Sequence, residues 1–203
     1  FDYALAILET AGPRAYVTSH YLFVDSQLQL VRKNRLPTFS SFLYRNYAVY
    51  LPTSGSFVTN TVASDGIVLD ANLDILMDRD YALQLHEADY TFHHIDAYLS
   101  AFRLHEAQKS GVGRLQANQE DPRAKRRISE RTQISEHYGG VFLGKNRVLP
   151  PGRALSRAAW ASLVVQLRLN RLRVRVEDAL GAIDVAPDLG RWVHALKAHR
   201  SES

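Results

Sequence analysis

The apolar pattern of this chain changes character near Asp70, and any fold has to accommodate both patterns. Between Tyr16 and Leu69, β-branched and aromatic residues gather in short runs separated by turn formers. Tyr16–Val24 and Leu28–Arg32 flank a polar Asp25-Ser26-Gln27 turn and read as a hairpin. Tyr47–Leu51, Phe57–Val62 and Ile67–Leu69, parted by Pro52-Thr53-Ser54-Gly55 and Asp65-Gly66, continue it as an antiparallel meander. Beyond Asp70, Leu85, Ala88, Phe92, Ile95, Leu99 and Phe102 recur at spacings of 3, 4, 3, 4 and 3. That spacing predicts one apolar stripe along a helix from about Tyr81 to Lys109. The meander and the long helix together define an α+β protein.

Shorter elements complete the expectation. A helix over Asp2–Thr10 is closed by Gly12-Pro13, and a charged surface helix covers Arg123–His137 with Ala124, Ile128 and Ile134 as its apolar points. Gly139-Gly140, a strand at Val141–Leu143, the Gly144-Lys145-Asn146 turn and Pro150-Pro151-Gly152 form a hairpin running into a linker. Ser156 is a good N-cap for a helix with Trp160, Leu163, Val164 and Leu167 on its inner face. After Asn170 the period shifts to two: Leu172, Val174 and Val176 alternate with Arg171, Arg173 and Arg175, the pattern of a strand. A terminal helix follows Pro187-Asp188. The expected organisation is therefore a β meander plus long amphipathic central helix (1–113), a basic connecting region (114–155) and a helix-strand-helix segment (156–203).

Charge is distributed unevenly over these elements. Residues 123–175 hold thirteen Lys or Arg against only Glu130 and Glu136, while both flanking regions are net acidic. Such polarisation points to a polyanionic partner. In a strand, Arg171, Arg173 and Arg175 would stand on one face about 6.5 to 7 Å apart, near the phosphate repeat of a nucleic-acid strand. Arg123, Lys125, Arg126, Arg127 and Arg131 form a second cluster, and Lys145, Arg147 and Arg168 lie between the two. Few aromatics accompany these charges, so backbone contact is expected rather than base readout.

Reactive chemistry finds less support. With no cysteine, disulfides, thiolate zinc sites and cysteine nucleophiles are excluded. No GxSxG stands in the chain, and Gly139–Lys145 has neither the spacing nor the Ser or Thr of a phosphate-binding loop. Asp70 reads as a turn or cap residue. On the expected long helix, His86, Asp89 and His93 fall at i, i+3 and i+7, with Glu87, His94 and His105 nearby, which is a candidate metal or catalytic cluster of unfamiliar spacing.

The function these features imply is non-enzymatic, and no cofactor is called for. The chain is expected to be a structural or adaptor subunit of a ribonucleoprotein, with an organellar ribosome in the mitochondrial matrix as one such setting, and to contact RNA phosphates through residues 123–175. Other protein subunits would dock on the Leu85–Phe102 stripe. One alternative is a scaffold subunit of a protein-only or membrane-associated complex; another is an enzyme built on the central histidines. No apolar run is long enough to span a bilayer, and Phe1 in place of Met suggests a processed or trimmed chain.

Overall fold

A computed structural model describes residues 2–47, 53–105, 122–140 and 154–179. Among them the chain is α+β, with four strands and six helices: α1 (Asp2–Thr10), β1 (Ala15–Val24), β2 (Leu30–Asn34), α2 (Ser41–Tyr47), β3 (Phe57–Val58), α3 (Thr61–Ser64), α4 (Met77–Glu87), β4 (Thr91–Arg103), α5 (Pro122–His137) and α6 (Ala154–Ala179). The four strands form one mixed sheet around β1. β4 runs parallel to β1 along its whole length, from Ala15 opposite Thr91 to Val24 opposite Arg103. The other edge of β1 takes two antiparallel partners in tandem, β3 at Tyr16 and Val17 and β2 from Tyr21 to Val24.

Every residue of β1 is buried, because both faces of the sheet are covered. Neighbouring side chains on a strand point to opposite faces. Tyr16 packs into the main core with Leu76, Leu83 and Leu85 around α4, Tyr44 of α2 and Ile134 of α5. Val17 instead joins Ile95 and Ala4 of α1. The main helical layer and α1 therefore lie on opposite sides of the sheet.

Two polar groups tie the helical layer together. Glu130 of α5 is buried, and its carboxylate accepts the backbone N–H groups of Asp74, Ile75 and Leu76 at 2.9 to 3.0 Å, closing the N-terminal end of α4 from a distant segment. Arg79 of α4 is also buried and donates to the carbonyls of Tyr44 (2.6 Å) and Arg45 (2.9 Å) at the end of α2, and to Ser135 Oγ of α5 (3.2 Å). Burial lowers its pKa to about 10, with the nearby Arg131 charge acting in the same direction.

Several expected elements are present. α1 spans the expected residues, and Asp25 forms the hairpin turn by accepting the N–H groups of Gln27 and Gln29. Asp70 likewise accepts the N–H of Asn72 in a turn. At the end of α5, Gly139 at φ +66° lets the Gly139 and Gly140 N–H groups reach the Glu136 and Ser135 carbonyls, a Schellman closure. The Phe57–Val62 strand is shorter than expected: it contracts to β3, and α3 begins at Thr61. Ile67–Leu69 is not a strand, and Tyr47 ends α2.

Two corrections are larger. The stripe from Leu85 to Phe102 is not one helix but the end of α4 followed by β4. α4 stops because Asp89 adopts a left-handed φ of +59°, which lets Tyr90 N–H bond Leu85 O and Asp89 N–H bond His86 O. This is the same closure as at Gly139, made here without glycine. The second correction is the strand expected after Asn170, which is the continuation of α6. Ser156 consequently lies inside α6 rather than at its cap. Residues 48–51, 141–143, 150–152 and 187–196 lie outside the described residues.

Candidate functional site

The most concentrated polar chemistry lies where β4 departs from regular pairing with β1. Ser19 is opposite Ile95, but His20 is opposite Tyr98 and Tyr21 opposite Ser100, so Asp96, Ala97 and then Leu99 are extra residues on β4. Bulges of this kind re-aim side chains. Here the bulge brings Asp96 to the buried His20, whose Nε2 lies 2.8 Å from Asp96 Oδ1. Arg35, just beyond β2, pairs with both Asp96 and Glu177 of α6. Tyr98 donates its hydroxyl to Glu177 Oε2 at 3.0 Å, and Lys33 Nζ lies 2.8 Å from Asp178 Oδ1 and 3.9 Å from Glu177 Oε2. Arg173 approaches Asp96 at 3.6 Å, completing a cluster drawn from β1, β2, β4 and α6.

The hydrogen bonding fixes the state of His20. Leu36 N–H donates to its Nδ1 at 3.0 Å, so that nitrogen carries no proton and Nε2 is the one that donates to Asp96. Burial lowers the His20 pKa to about 4, against the opposing pull of Asp96. Burial works against the charge of Asp96 too, but the His20 hydrogen bond and Arg35 outweigh it and hold its carboxyl below the ordinary value. His94, ring to ring with His20 at 4.7 Å and with Nδ1 3.0 Å from Thr18 Oγ1, is likewise lowered by burial. With both of its ring nitrogens engaged, His20 ties Leu36 and Asp96 together across the sheet.

This arrangement predicts an acid-sensitive fold. A histidine with its pKa lowered on folding takes up its proton preferentially in the unfolded chain, so stability falls as pH drops from about 6.5 toward 4 and levels off below. At pH 5 the His20 share of that loss is about 2 kcal/mol relative to pH 7.5. Urea unfolding at the two pH values should show it, and His20→Gln should flatten the dependence by that amount. An unchanged slope in the variant would exclude His20 as its source.

The cluster also accounts for how α6 is held. Glu177 and Asp178 stand in the last turn of a helix, where the macrodipole disfavours negative charge, and no basic residue of the helix lies in that turn. Lys33 and Arg35 supply the missing cations from the body. A further tie, from Asn170 Nδ2 to Arg35 O at 3.5 Å, is polar as well.

The proposed phosphate-binding residues separate into groups. In the helical backbone of α6, Arg171, Arg173 and Arg175 do not form a ladder; Arg173 is turned toward Asp96, roughly 140° around the axis from Arg168. Arg168, Arg171 and Arg175, at i, i+3 and i+7, instead share an arc of about 60° and are exposed. None of these three pairs with an acid among the described residues. On α5, Lys125 is exposed and Arg127 is half-buried. Arg126 reaches Glu130 at 3.1 Å and Asp74 at 3.8 Å, and burial lowers the pKa of Arg131. Arg123 lies in the first turn of α5; Lys145 and Arg147 fall outside the described residues.

The histidine cluster does not form. His86 is in the last turn of α4 against Phe39, Asp89 is in the turn, and His93 is on β4. Glu87 pairs with Arg45. No group of three or more potential metal ligands occurs among the described residues. The intended protein-docking stripe is likewise withdrawn inward, with Leu85 and Ile95 buried and Ala88, Phe92, Leu99 and Phe102 partly buried against core groups. No described helix is long and apolar enough to cross a membrane. Comparison with protein-family models and with curated proteins gave no match to this chain. The chain is thus defined by its mixed-sheet α+β fold and by an arginine-bearing helix held at an ionic cluster.

Proposed function

We propose that the chain is a non-enzymatic structural or adaptor subunit of a ribonucleoprotein and contacts RNA phosphates through α6, with α5 contributing. The observation that supports this is the exposed face carrying Arg168, Arg171 and Arg175 without an acidic partner among the described residues. Guanidiniums one helical turn apart can each meet a phosphate, and such contacts release counterions on binding. The Lys125 side of α5 offers a second, weaker contact. Arg126 and Arg173 serve internal contacts and Arg131 is partly buried, so none of the three is assigned a share.

Three phosphate contacts imply that affinity for a generic RNA falls roughly tenfold between about 100 and 300 mM salt. Fluorescence anisotropy with the chain and with its combined Arg168→Glu, Arg171→Glu and Arg175→Glu variant measures this. Loss of binding in the variant is expected. Binding that is flat with salt, or equal in the two proteins, removes the RNA reading. The scaffold reading has a separate observation in its favour: an exposed apolar row on the next face of α6, which phosphate contact does not require.

A further inference from the structure

Val165, Leu169, Leu172 and Val176 follow one another at spacings of 4, 3 and 4 on α6 and are 54%, 53%, 56% and 49% exposed. Four aliphatic side chains at this spacing make a straight seam on one side of a helix, the pattern that pairs with another helix. The seam spans only about 60° of arc, narrower than the broad apolar face of a helix buried in its own domain. Its surroundings are cationic. Arg168 and Arg175 border it on one side and Arg173, which also approaches Asp96, on the other, while the acids of α6, Glu177 and Asp178, are committed to Arg35 and Lys33.

From this geometry we infer that the seam of α6 is the docking site for an acidic amphipathic helix of a partner protein, with aliphatic residues in its own seam and Glu or Asp beside them. The inference rests on the adaptor reading of the chain but not on its RNA contact. Charge decides between occupants. A second copy of this chain would bring Arg168, Arg173 and Arg175 against their equivalents, since the positions flanking a seam face each other in paired helices. An anionic bilayer favours a wide apolar face with bulky aromatics, and residues 165–176 contain none. RNA matches the arginines but leaves the aliphatic row exposed. An acidic helix satisfies both the row and its borders.

The test uses the full chain and two synthetic probes, amphipathic heptad peptides with Leu in the seam and either Glu or Lys at the flanking positions. The Glu peptide is expected to bind and the Lys peptide not to bind. Leu169→Asp and Leu172→Asp should each weaken the Glu peptide roughly tenfold or more, about 1.4 kcal/mol. Leu167→Asp, on a different side of the helix, should not. Arg168→Glu with Arg175→Glu should shift preference toward the Lys peptide. RNA affinity measured on Leu172→Asn, which should also weaken the Glu peptide, separates the two proposals, because this uncharged seam variant should bind RNA as the parent does.

Because the chain has no cysteine, a Leu169→Cys variant reports directly on coverage of the seam. Its thiol should react freely with maleimide in the isolated chain and be protected by the Glu peptide. Equal binding of both peptides, or insensitivity to Leu169→Asp and Leu172→Asp, overturns the inference. So does a thiol already protected in the monomer, a dimer dissociated by Leu172→Asp, or seam-dependent binding to mixed phosphatidylcholine and phosphatidylserine vesicles without binding to the Glu peptide.

Discussion

Glu177→Lys is expected to release the C-terminal end of α6 from the sheet while leaving the sheet intact. Glu177 is 16% exposed and faces Arg35 and Lys33, whose side chains are 6% and 3% exposed, so lysine there sets a third cation against two buried ones. Removing one partner of a buried ion pair costs about 3 to 5 kcal/mol, and here the bond from the Tyr98 hydroxyl is lost as well. Hydrogen exchange should report amides of residues 166–178 exchanging on the order of a thousandfold faster, with β1 and β4 unchanged. Equal protection of α6 in the two proteins would mean that something other than the ionic cluster holds it.

The second large effect belongs to Arg79→Met. The side chains are similar in length and the site is buried, so the substitution mainly deletes the donors that satisfy Tyr44 O, Arg45 O and Ser135 Oγ. Two opposing contributions decide its sign. The buried guanidinium pays for desolvation, as its lowered pKa records. Its removal strands buried acceptors at about 1 to 3 kcal/mol each. With three acceptors involved, stranding wins, and a net loss of about 3 kcal/mol in urea-unfolding stability is expected. A variant as stable as the parent would show that water or relaxation replaces the guanidinium.

Both effects concern contacts that no local pattern announces. The legible parts of the chain are those whose cause is local: α1 before Gly12-Pro13, the hairpin around Asp25, and the charged helix α5 ending at His137. The expected long helix gives way to α4 and β4 for two identifiable reasons. Its stop at Asp89 uses a left-handed aspartate where glycine is the usual signal. In addition, the extra residues of β4 break the alternation of two, so Phe92, Ile95, Leu99 and Phe102 imitate helical spacing within a strand.

The segment after Asn170 departs from its expected form in the opposite sense, being helix where a strand is expected. Alternating Leu, Arg and Val suits a half-buried strand, but on a helix Arg171 and Arg175 fall on one side, Leu172 and Val176 join the aliphatic seam, and Arg173 turns toward Asp96. The ionic cluster was missed because His20, Arg35, Asp96 and Glu177 are widely separated in sequence. The one hint available was the Glu177-Asp178 pair ending the basic block at a helix terminus that disfavours it.

The pairing of β1 with β4 has a consequence for biosynthesis. Thr18 and His94, which meet across these two strands, are 76 residues apart. Until the ribosome has delivered the chain through Arg103, β1 can pair only with β2 and β3, leaving the edge that belongs to β4 open to other chains. Contacts of such long range slow folding and prolong the exposure of unpaired strands. The nascent N-terminal half is therefore the stage at which this protein most needs chaperone protection, and its refolding in vitro should lose more material to aggregation as concentration rises.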